Sequence, residues 1–163
     1  MNKIQYITIS TRWGKCSLLF REDIILELIL PSGRLRRTGR CTGYHGKKKW
    51  LSGLRKRMVR YFNGRRTTFP FLSHLEFSGY TPFQKKVVQQ LMKVPYGERI
   101  SYMQLAEKAG SPKACRCVGN IMAKNKVPLI IPCHRVIRSS GDIGSFGYGR
   151  SYKQKLLELE KII

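Results

Sequence analysis

The chain has 163 residues, of which 42% are hydrophobic, so it can bury a core and form one domain or two small ones. Its 32 Lys and Arg outnumber 9 Asp and Glu and leave a formal net charge of +23, which favours nucleic acid as the partner. The sequence holds no apolar stretch near the roughly 20 residues that span a bilayer, and its start, MNKIQYITIS, lacks the apolar core of a signal peptide. We therefore expect an intracellular protein that binds no membrane.

The first half of the chain predicts a small α/β unit. Residues 4–9, 16–20 and 24–30 are short apolar or β-branched runs separated by polar breaks, as in a small antiparallel sheet. Apolar residues from Lys47 to Asn63 recur at helical spacing and predict an amphipathic helix with a basic outer face. The basic runs RLRRTGR (34–40) and GKKKWLSGLRKR (46–57) are expected to form a solvated face that also touches phosphates without reading sequence.

Periodicity is lost after this helix, and we place a domain boundary near residue 78, between domains 1–78 and 79–163. Thr81 then caps a helix that has Pro82 at its first position. Ser101 caps a second helix that closes at Gly110, and Ser111-Pro112 opens a third one through residues 113–125. Two short helices joined by a tight turn are typical of a helix-turn-helix, although an ordinary helical hairpin has the same pattern.

The second helix of this pair has an unusual composition. Most residues in its first turns are small, and Arg116 is the long cationic residue among them. Readers of the major groove normally carry several side chains that reach base edges, so this helix is expected to fit a groove closely and insert one side chain. The small residues are Ala114, Cys115, Cys117, Gly119 and Ala123.

Near the end of the chain, the apolar run 129–131 is followed by Pro132, Cys133 and His134. A thiol beside a base at the end of a rigid element is placed as a nucleophile, and Arg135 and Arg138 are expected to favour the thiolate. Neighbouring side chains diverge, so a water would bridge Cys133 and His134.

A base of this kind needs an orienting partner, and few acidic residues follow Cys133. In the last predicted helix, Glu160 falls on the apolar stripe with Tyr152 and Ile163, where a carboxylate needs a partner such as His134. The alternative is that Glu160 is a surface residue of a frayed terminal helix.

With these motifs in view, residues 82–149 resemble the O6-alkylguanine-DNA alkyltransferases, also called methylated-DNA–protein-cysteine methyltransferases. The resemblance rests on PCHRV (132–136), the turn SSGDIG (139–144) and the preceding helix-turn-helix. It implies an α/β (α+β) fold class: a small N-terminal antiparallel sheet with a helix in a ribonuclease-H-like layout, then a mostly helical C-terminal domain with the helix-turn-helix.

The family resemblance also implies a reaction, direct reversal of damage in double-stranded DNA. An O6-alkylguanine is flipped out through the minor groove, and its alkyl group passes irreversibly to Cys133. By motif position, His134 is the base working through water, Glu160 orients it, Asn125 braces the site, and Tyr102 crowds the phosphate and helps to protonate the departing guanine.

DNA and guanine contacts are carried over in the same way. The resemblance implies that Arg116 enters the base stack and assigns further DNA contacts to Tyr102, Ser101, Ala114 and Arg135. For the guanine edge it suggests Val136, Ser139 or Ser140, without deciding among them. O4-alkylthymine as a further substrate also stays open.

Cofactor and metal are both expected to be absent. Five cysteines are an odd number in a chain without an export signal, so reduced thiols are expected. Cys16, Cys41, His45 and His74 include no close Cys pair, and the early cysteine of zinc-containing relatives is missing, so no zinc site is predicted. Cys115 and Cys117 are expected to pack against the core and to be inert.

Localisation and assembly follow from the same resemblance: a monomer in the cytoplasm, or in the nucleus of a eukaryote. Two competing classes remain. One is a non-catalytic helix-turn-helix protein that binds DNA or recognises damage, in which Cys133 only packs. The other is a thiol hydrolase acting on small acyl substrates, which the charge of +23 disfavours.

Overall fold

The computed structural model describes residues 3–31 and 41–163 and divides the chain into two units, the second running from Phe77 to Ile163. The basic run RLRRTGR lies outside the described residues. Within the described part, none of the helices has the length and apolar character needed to cross a membrane.

The first unit is built on a four-stranded sheet. Its strands are β1 (Ile4–Thr11), β2 (Gly14–Arg21), β3 (Ile24–Ile29) and β4 (Cys41–Gly43), in the order β3-β2-β1-β4. The three predicted strands are confirmed and pair antiparallel, with β1 and β2 joined by a tight hairpin turn. Strand β4, which pairs parallel to β1, was not predicted.

The predicted amphipathic helix of this unit is present as α1 (Lys49–Phe62). Its apolar stripe, including Leu54, Met58 and Tyr61, is fully buried, as are Leu18 and Phe20 of β2. The indole of Trp50 meets the ring of Phe20 edge-on at 5.6 Å between centroids, a favourable aromatic geometry. Burial of this stripe leaves the Lys and Arg residues of α1 on the outer face.

The second unit is mostly helical, with α2 (Pro82–Leu91), α3 (Tyr102–Lys108), α4 (Cys115–Ala123) and α5 (Arg150–Leu159). The predicted caps are confirmed: Thr81 and Ser101 each form a capping box with the glutamine three residues later. The third predicted helix starts later than expected, because Ser111 to Ala114 form a turn closed by a 2.9 Å bond from Ala114 N to Ser111 O. α3 and α4 form the helix-turn-helix.

A pair of very short parallel strands, β5 (Ile100–Ser101) and β6 (Val136–Ile137), was not predicted. It holds the start of α3 beside the segment that follows Cys133. The apolar run before Cys133 is a tight turn, with Leu129 at a φ of 70° and a bridge between Pro128 and Ile131. Two prolines bracket this run, and proline cannot donate to a sheet ladder.

Candidate active site

Cys133 begins a 3₁₀ helix, Cys133–Arg135, directly after the Pro128–Ile131 turn. The chain therefore turns after Pro132. The residue is 6% exposed, and its backbone N–H donates to Ile131 O at 2.8 Å. The thiol side chain is therefore largely withdrawn from water.

Asn125 ties this thiol to the turn before it. Its Oδ1 accepts a hydrogen bond from Val127 N at 3.0 Å, and its Nδ2 donates to Ile131 O at 2.9 Å and to Cys133 Sγ at 3.0 Å. One amide side chain thus uses donor and acceptor atoms to hold both ends of the turn and the sulfur. A donor on sulfur favours the thiolate form.

His134 and Glu160 form a fully buried pair, with Nε2 of the imidazole 2.7 Å from Oε1 of the carboxylate. Glu160 follows the last residue of α5 and is 2% exposed, so the sequence expectation of a partner for it is confirmed and the frayed surface alternative is wrong. Ile163, expected on the same stripe, is 52% exposed. Glu160 also accepts a hydrogen bond from Gly97 N at 3.1 Å.

Arg135 is the second partner of this carboxylate. Its Nε and Nη2 donate to the two oxygens of Glu160 at 2.9 and 3.0 Å, and its Nη1 donates to Val94 O at 2.7 Å. The residue is 5% exposed. The prediction that Arg135 contacts DNA is therefore wrong, because its guanidinium is buried and hydrogen-bonded to Glu160 and Val94 inside the unit.

These contacts set the charge states of the pair. Burial raises the pKa of Glu160, but hydrogen bonds and charge from His134 and Arg135 outweigh it and lower that pKa to about 2. Burial lowers the pKa of His134 below its ordinary value, although Glu160 opposes that shift. We take the imidazole as neutral near pH 7, donating through Nε2–H and leaving Nδ1 as its basic nitrogen.

The cation that acts on the thiol is Lys153 of α5, which the sequence analysis missed. Lys153 is fully buried, and its Nζ donates to Val136 O at 2.6 Å. Burial raises the pKa of Cys133, while the Asn125 hydrogen bond and the Lys153 charge lower it. Arg135 and Arg138, which were predicted to favour the thiolate, are engaged elsewhere. Arg135 is paired with Glu160, and Arg138 is an exposed residue 3.7 Å from Asp142.

Tyr102 is the first residue of α3 and is half-buried beside the loop after β6. A Cβ at Gly144 of that loop would lie 3.7 Å from the Tyr102 hydroxyl, so the two approach closely. Burial raises the pKa of Tyr102, and the charge of Cys133 raises it further. The phenol is therefore protonated near neutral pH.

The predicted guanine-reading residues fall in different environments. Val136 is fully buried, and its carbonyl, already engaged by Lys153, keeps a second lone pair. Ser139 and Ser140 are exposed in the turn after β6. Ser139 also lines a cavity of about 460 Å³ that includes Ser101 and Arg138.

The helix-turn-helix keeps Arg116 exposed in the first turn of α4, directly after the half-buried Ala114 and Cys115. Ser101 is half-buried and uses its hydroxyl oxygen to accept a 3.0 Å bond from Gln104 N as the cap of α3. Cys117 is exposed, so the expectation that it packs against the core is wrong. The site described above brings together Cys133, His134, Asn125, Tyr102 and Glu160, whereas Arg116 lies on the surface of α4.

All five cysteines are free thiols. Within residues 3–31 and 41–163, no group of three His, Cys, Asp or Glu side chains is placed to hold a metal ion.

Comparisons with known proteins identify the family. Residues 82–162 match the family model of the 6-O-methylguanine DNA methyltransferase DNA-binding domain. The chain is 33% identical to the methylated-DNA–protein-cysteine methyltransferase of Mycolicibacterium paratuberculosis, over 97% of this chain and 93% of that protein. The constitutive enzyme of Bacillus subtilis is 37% identical over 96% of this chain and 95% of its own length.

A solved structure shows the same fold. The Mycobacterium tuberculosis OGT in complex with DNA superposes with a TM-score of 0.80 at 35% identity, over 96% of this chain and 93% of that one. Fold and site together define an alkyltransferase of the DNA-repair class. The chain belongs to the methylated-DNA–protein-cysteine methyltransferase family and is an enzyme of that type.

Proposed function

We propose that this protein removes the alkyl group of O6-alkylguanine in double-stranded DNA and keeps it on Cys133. The thiolate sulfur attacks the alkyl carbon in line with the O6–carbon bond, a sulfur–carbon bond forms, and O6 leaves with the electron pair. The thioether is not cleaved afterwards, so each molecule reacts once. The hydrogen bond from Asn125 to the Cys133 sulfur, next in sequence to the buried His134–Glu160 pair, is the observation that carries the proposal.

His134 takes the thiol proton through a bridging water. Glu160 holds Nε2 at 2.7 Å, so Nδ1 is the nitrogen that receives the proton. Because Glu160 stays ionised at neutral pH, it stabilises the imidazolium that forms. Arg135 keeps the carboxylate in place by two further hydrogen bonds and acts only as a positioning residue.

Asn125 acts on the attacking sulfur of the displacement, and Tyr102 acts on the leaving guanine. The amide of Asn125 stabilises the developing thiolate with its 3.0 Å donation to Sγ. The phenol of Tyr102 protonates the departing guanine, for which its raised pKa keeps a proton on the oxygen at neutral pH. Val136 O and the Ser139-Ser140 turn contact the guanine edge, and O4-alkylthymine is a further candidate substrate of this pocket.

DNA enters through the helix-turn-helix, with α4 in the minor groove and the damaged base rotated out of the stack. Arg116 fills the space that the base leaves, and the small side chains beside it permit close approach of the helix. Unstacking costs a few kcal/mol and least for a base whose pairing is already weakened. The complex of Mycobacterium tuberculosis OGT with DNA supports DNA as the partner. The reaction needs a single thiol, and we expect a monomer to perform it.

Intact-mass measurement after incubation with a duplex that carries O6-methylguanine tests the transfer. We expect one methyl increment located on Cys133, none in Cys133→Ser, and unchanged duplex affinity in that variant. Cys16→Ser is the matched control, because that thiol is buried and has its pKa raised to about 12. An increment on any other cysteine, or wild-type protein that binds the duplex unmodified, contradicts the proposal.

Arg116→Ala tests the flipping step. We expect transfer from the methylated duplex to be at least about tenfold slower, because no side chain then occupies the space that the flipped base leaves in the stack. The rate with free O6-benzylguanine is expected to be unchanged. Lys113→Ala removes a neighbouring exposed cation and controls for charge. Equal losses on duplex and free base would count against this role of Arg116.

A further inference from the structure

The unit that lacks both the reactive cysteine and the helix-turn-helix also carries a large positive charge. Residues 1–76 contain 17 Lys and Arg and 4 Asp and Glu, a net charge of +13, whereas residues 77–163 contain 15 and 5, a net charge of +10. Such an excess destabilises a compact state by self-repulsion. Contact between α4 and DNA does not explain the positive charge of residues 1–76, because α4 belongs to the other unit.

Part of this charge surrounds a cavity of about 650 Å³ in the first unit, where β4 leads into α1. The side chains that bear on its chemistry are those of Tyr44, His45, Lys47, Lys49, Ser52 and Arg55. The ring of Tyr44 meets Phe20 edge-on at 5.3 Å, so one wall of the cavity is attached to the core of the sheet.

Most of the cations at this cavity carry a charge that no carboxylate of the described residues neutralises. Lys48, which also lines it, is ion-paired with Asp23. Among the residues that the structure describes, no carboxylate pairs with Lys47, Lys49 or Arg55, and all three are exposed. Three such charges around one concavity raise the local concentration of anions.

We propose that this cavity is a second phosphate-binding site for the DNA backbone, in addition to the helix-turn-helix. The inference rests on the proposed function, in which DNA is the partner. The cavity offers ammonium, guanidinium and hydroxyl donors, which are the groups that proteins place on phosphate oxygens. Lysine acts on phosphate as a point charge, so these contacts add affinity and positioning but carry no sequence information.

The test compares two triple variants that lose the same charge. Lys47→Gln/Lys49→Gln/Arg55→Gln alters the cavity, and Lys15→Gln/Arg65→Gln/Arg66→Gln alters exposed cations of the same unit that do not line it. Affinity for an undamaged 24-base-pair duplex is measured by fluorescence anisotropy over a series of salt concentrations. Circular dichroism verifies that both variants are folded.

We expect the cavity variant to bind the duplex at least about tenfold more weakly at 0.1 M salt. The magnitude of its slope of log K against log salt is expected to fall by up to about 2.7, which corresponds to about 0.9 for each of three phosphate contacts. The control variant is expected to change the slope by less than about 1. Equal changes in the two variants would overturn the proposal, since they would show diffuse attraction by charge alone.

A second arm separates DNA from small phosphorylated ligands. Calorimetry with inorganic pyrophosphate and with ATP is expected to show weak binding, in the millimolar range. Micromolar binding of either compound, lost in the cavity variant whose duplex affinity is unchanged, would overturn the proposal in favour of a small-ligand site. The mass assay on wild-type Cys133 tests the proposed function independently, so failure of one is distinguishable from failure of the other.

Discussion

Lys153 shows how burial and charge act on the reactive thiol in opposite directions. Burial raises the pKa of Cys133, and the ammonium of Lys153 together with the amide of Asn125 lowers it again. The same burial lowers the pKa of Lys153 from 10.5 to about 8. The lysine therefore keeps its charge at neutral pH but loses it within the range of an ordinary kinetic experiment.

Substitution of this lysine makes a first prediction. Lys153→Met is expected to slow transfer from free O6-benzylguanine at pH 7, because each unit by which the thiol pKa rises lowers the thiolate fraction about tenfold. Above about pH 8 the wild-type ammonium deprotonates, so the ratio of wild-type to variant rate is expected to shrink. Single-turnover rates by intact mass between pH 6 and 10 measure it.

Lys155→Met is the control for this measurement, since Lys155 is an exposed cation on the same helix. A ratio that stays constant across the whole pH range would show that Lys153 acts only through packing.

At single positions, the sequence predicted side chains that a specific motif or a local rule identifies. The tetrapeptide around Cys133 led to His134, and helical spacing led to Glu160. Lys153 carries the same signal, because it precedes Leu156, Leu157 and Glu160 by three, four and seven residues on one face of the helix. Arg135 was misplaced because its burial depends on a carboxylate 25 residues away.

Among the elements, the contact between the 3₁₀ helix and the end of α5 matters most for the site. Glu160 accepts hydrogen bonds from both His134 and Arg135 of that helix and from Gly97 N. One carboxylate thereby connects three segments of the second unit. A buried charge of this kind is costly to leave unpaired.

Glu160→Gln gives the second prediction, for stability. Removing one partner of a buried pair is expected to lower the free energy of unfolding at pH 7 by about 3–5 kcal/mol. In the wild type the folded pKa of about 2 lies below the ordinary 4.5, so the stabilisation is present above pH 4.5 and is lost as pH falls towards 2. The variant is expected to lack this part of the pH dependence.

Urea unfolding at pH 7, 5 and 3.5 measures both effects. Glu158→Gln is the control, because Glu158 is an exposed carboxylate two residues earlier that accepts a hydrogen bond from Gln154. Equal pH dependence in wild type and Glu160→Gln would refute the assignment.

Secondary structure with local signals was predicted well. Thr81 and Ser101, predicted as N-caps, identified the starts of α2 and α3. Pairings between distant segments were missed, because β4 and the β5–β6 pair are two or three residues long and join parts of the chain that no local pattern connects. The turn at Leu129 was not predicted, because apolar and β-branched residues such as those around it are typical of strands.

For the whole molecule, the net charge of +23 dominates the approach to DNA. The third prediction concerns salt: transfer from a methylated duplex at subsaturating protein is expected to fall by at least about tenfold between 0.05 and 0.2 M salt, because bound counterions are released on association. Transfer from free O6-benzylguanine is the control and is expected to stay unchanged, since that ligand carries no phosphate. An equal decrease in both rates would show that salt acts on the site itself.

At this scale the composition predicted the partner class, and the family resemblance predicted the mixed α/β fold that the solved relatives share. Composition could not predict where the positive charges lie in the folded protein. Cations that are separated along the chain meet at one cavity only after β4 and α1 have formed.

The separation of His134 and Glu160 by 26 residues also orders events during translation. A ribosome that has just added the histidine still has to polymerise the loop and α5 before the carboxylate exists, which takes about 1 to 5 seconds at 5–20 residues per second. The nascent polypeptide thus carries its thiol and its imidazole before the carboxylate that pairs with His134. Under the proposed mechanism, a newly made molecule acquires its reactivity only once α5 has docked.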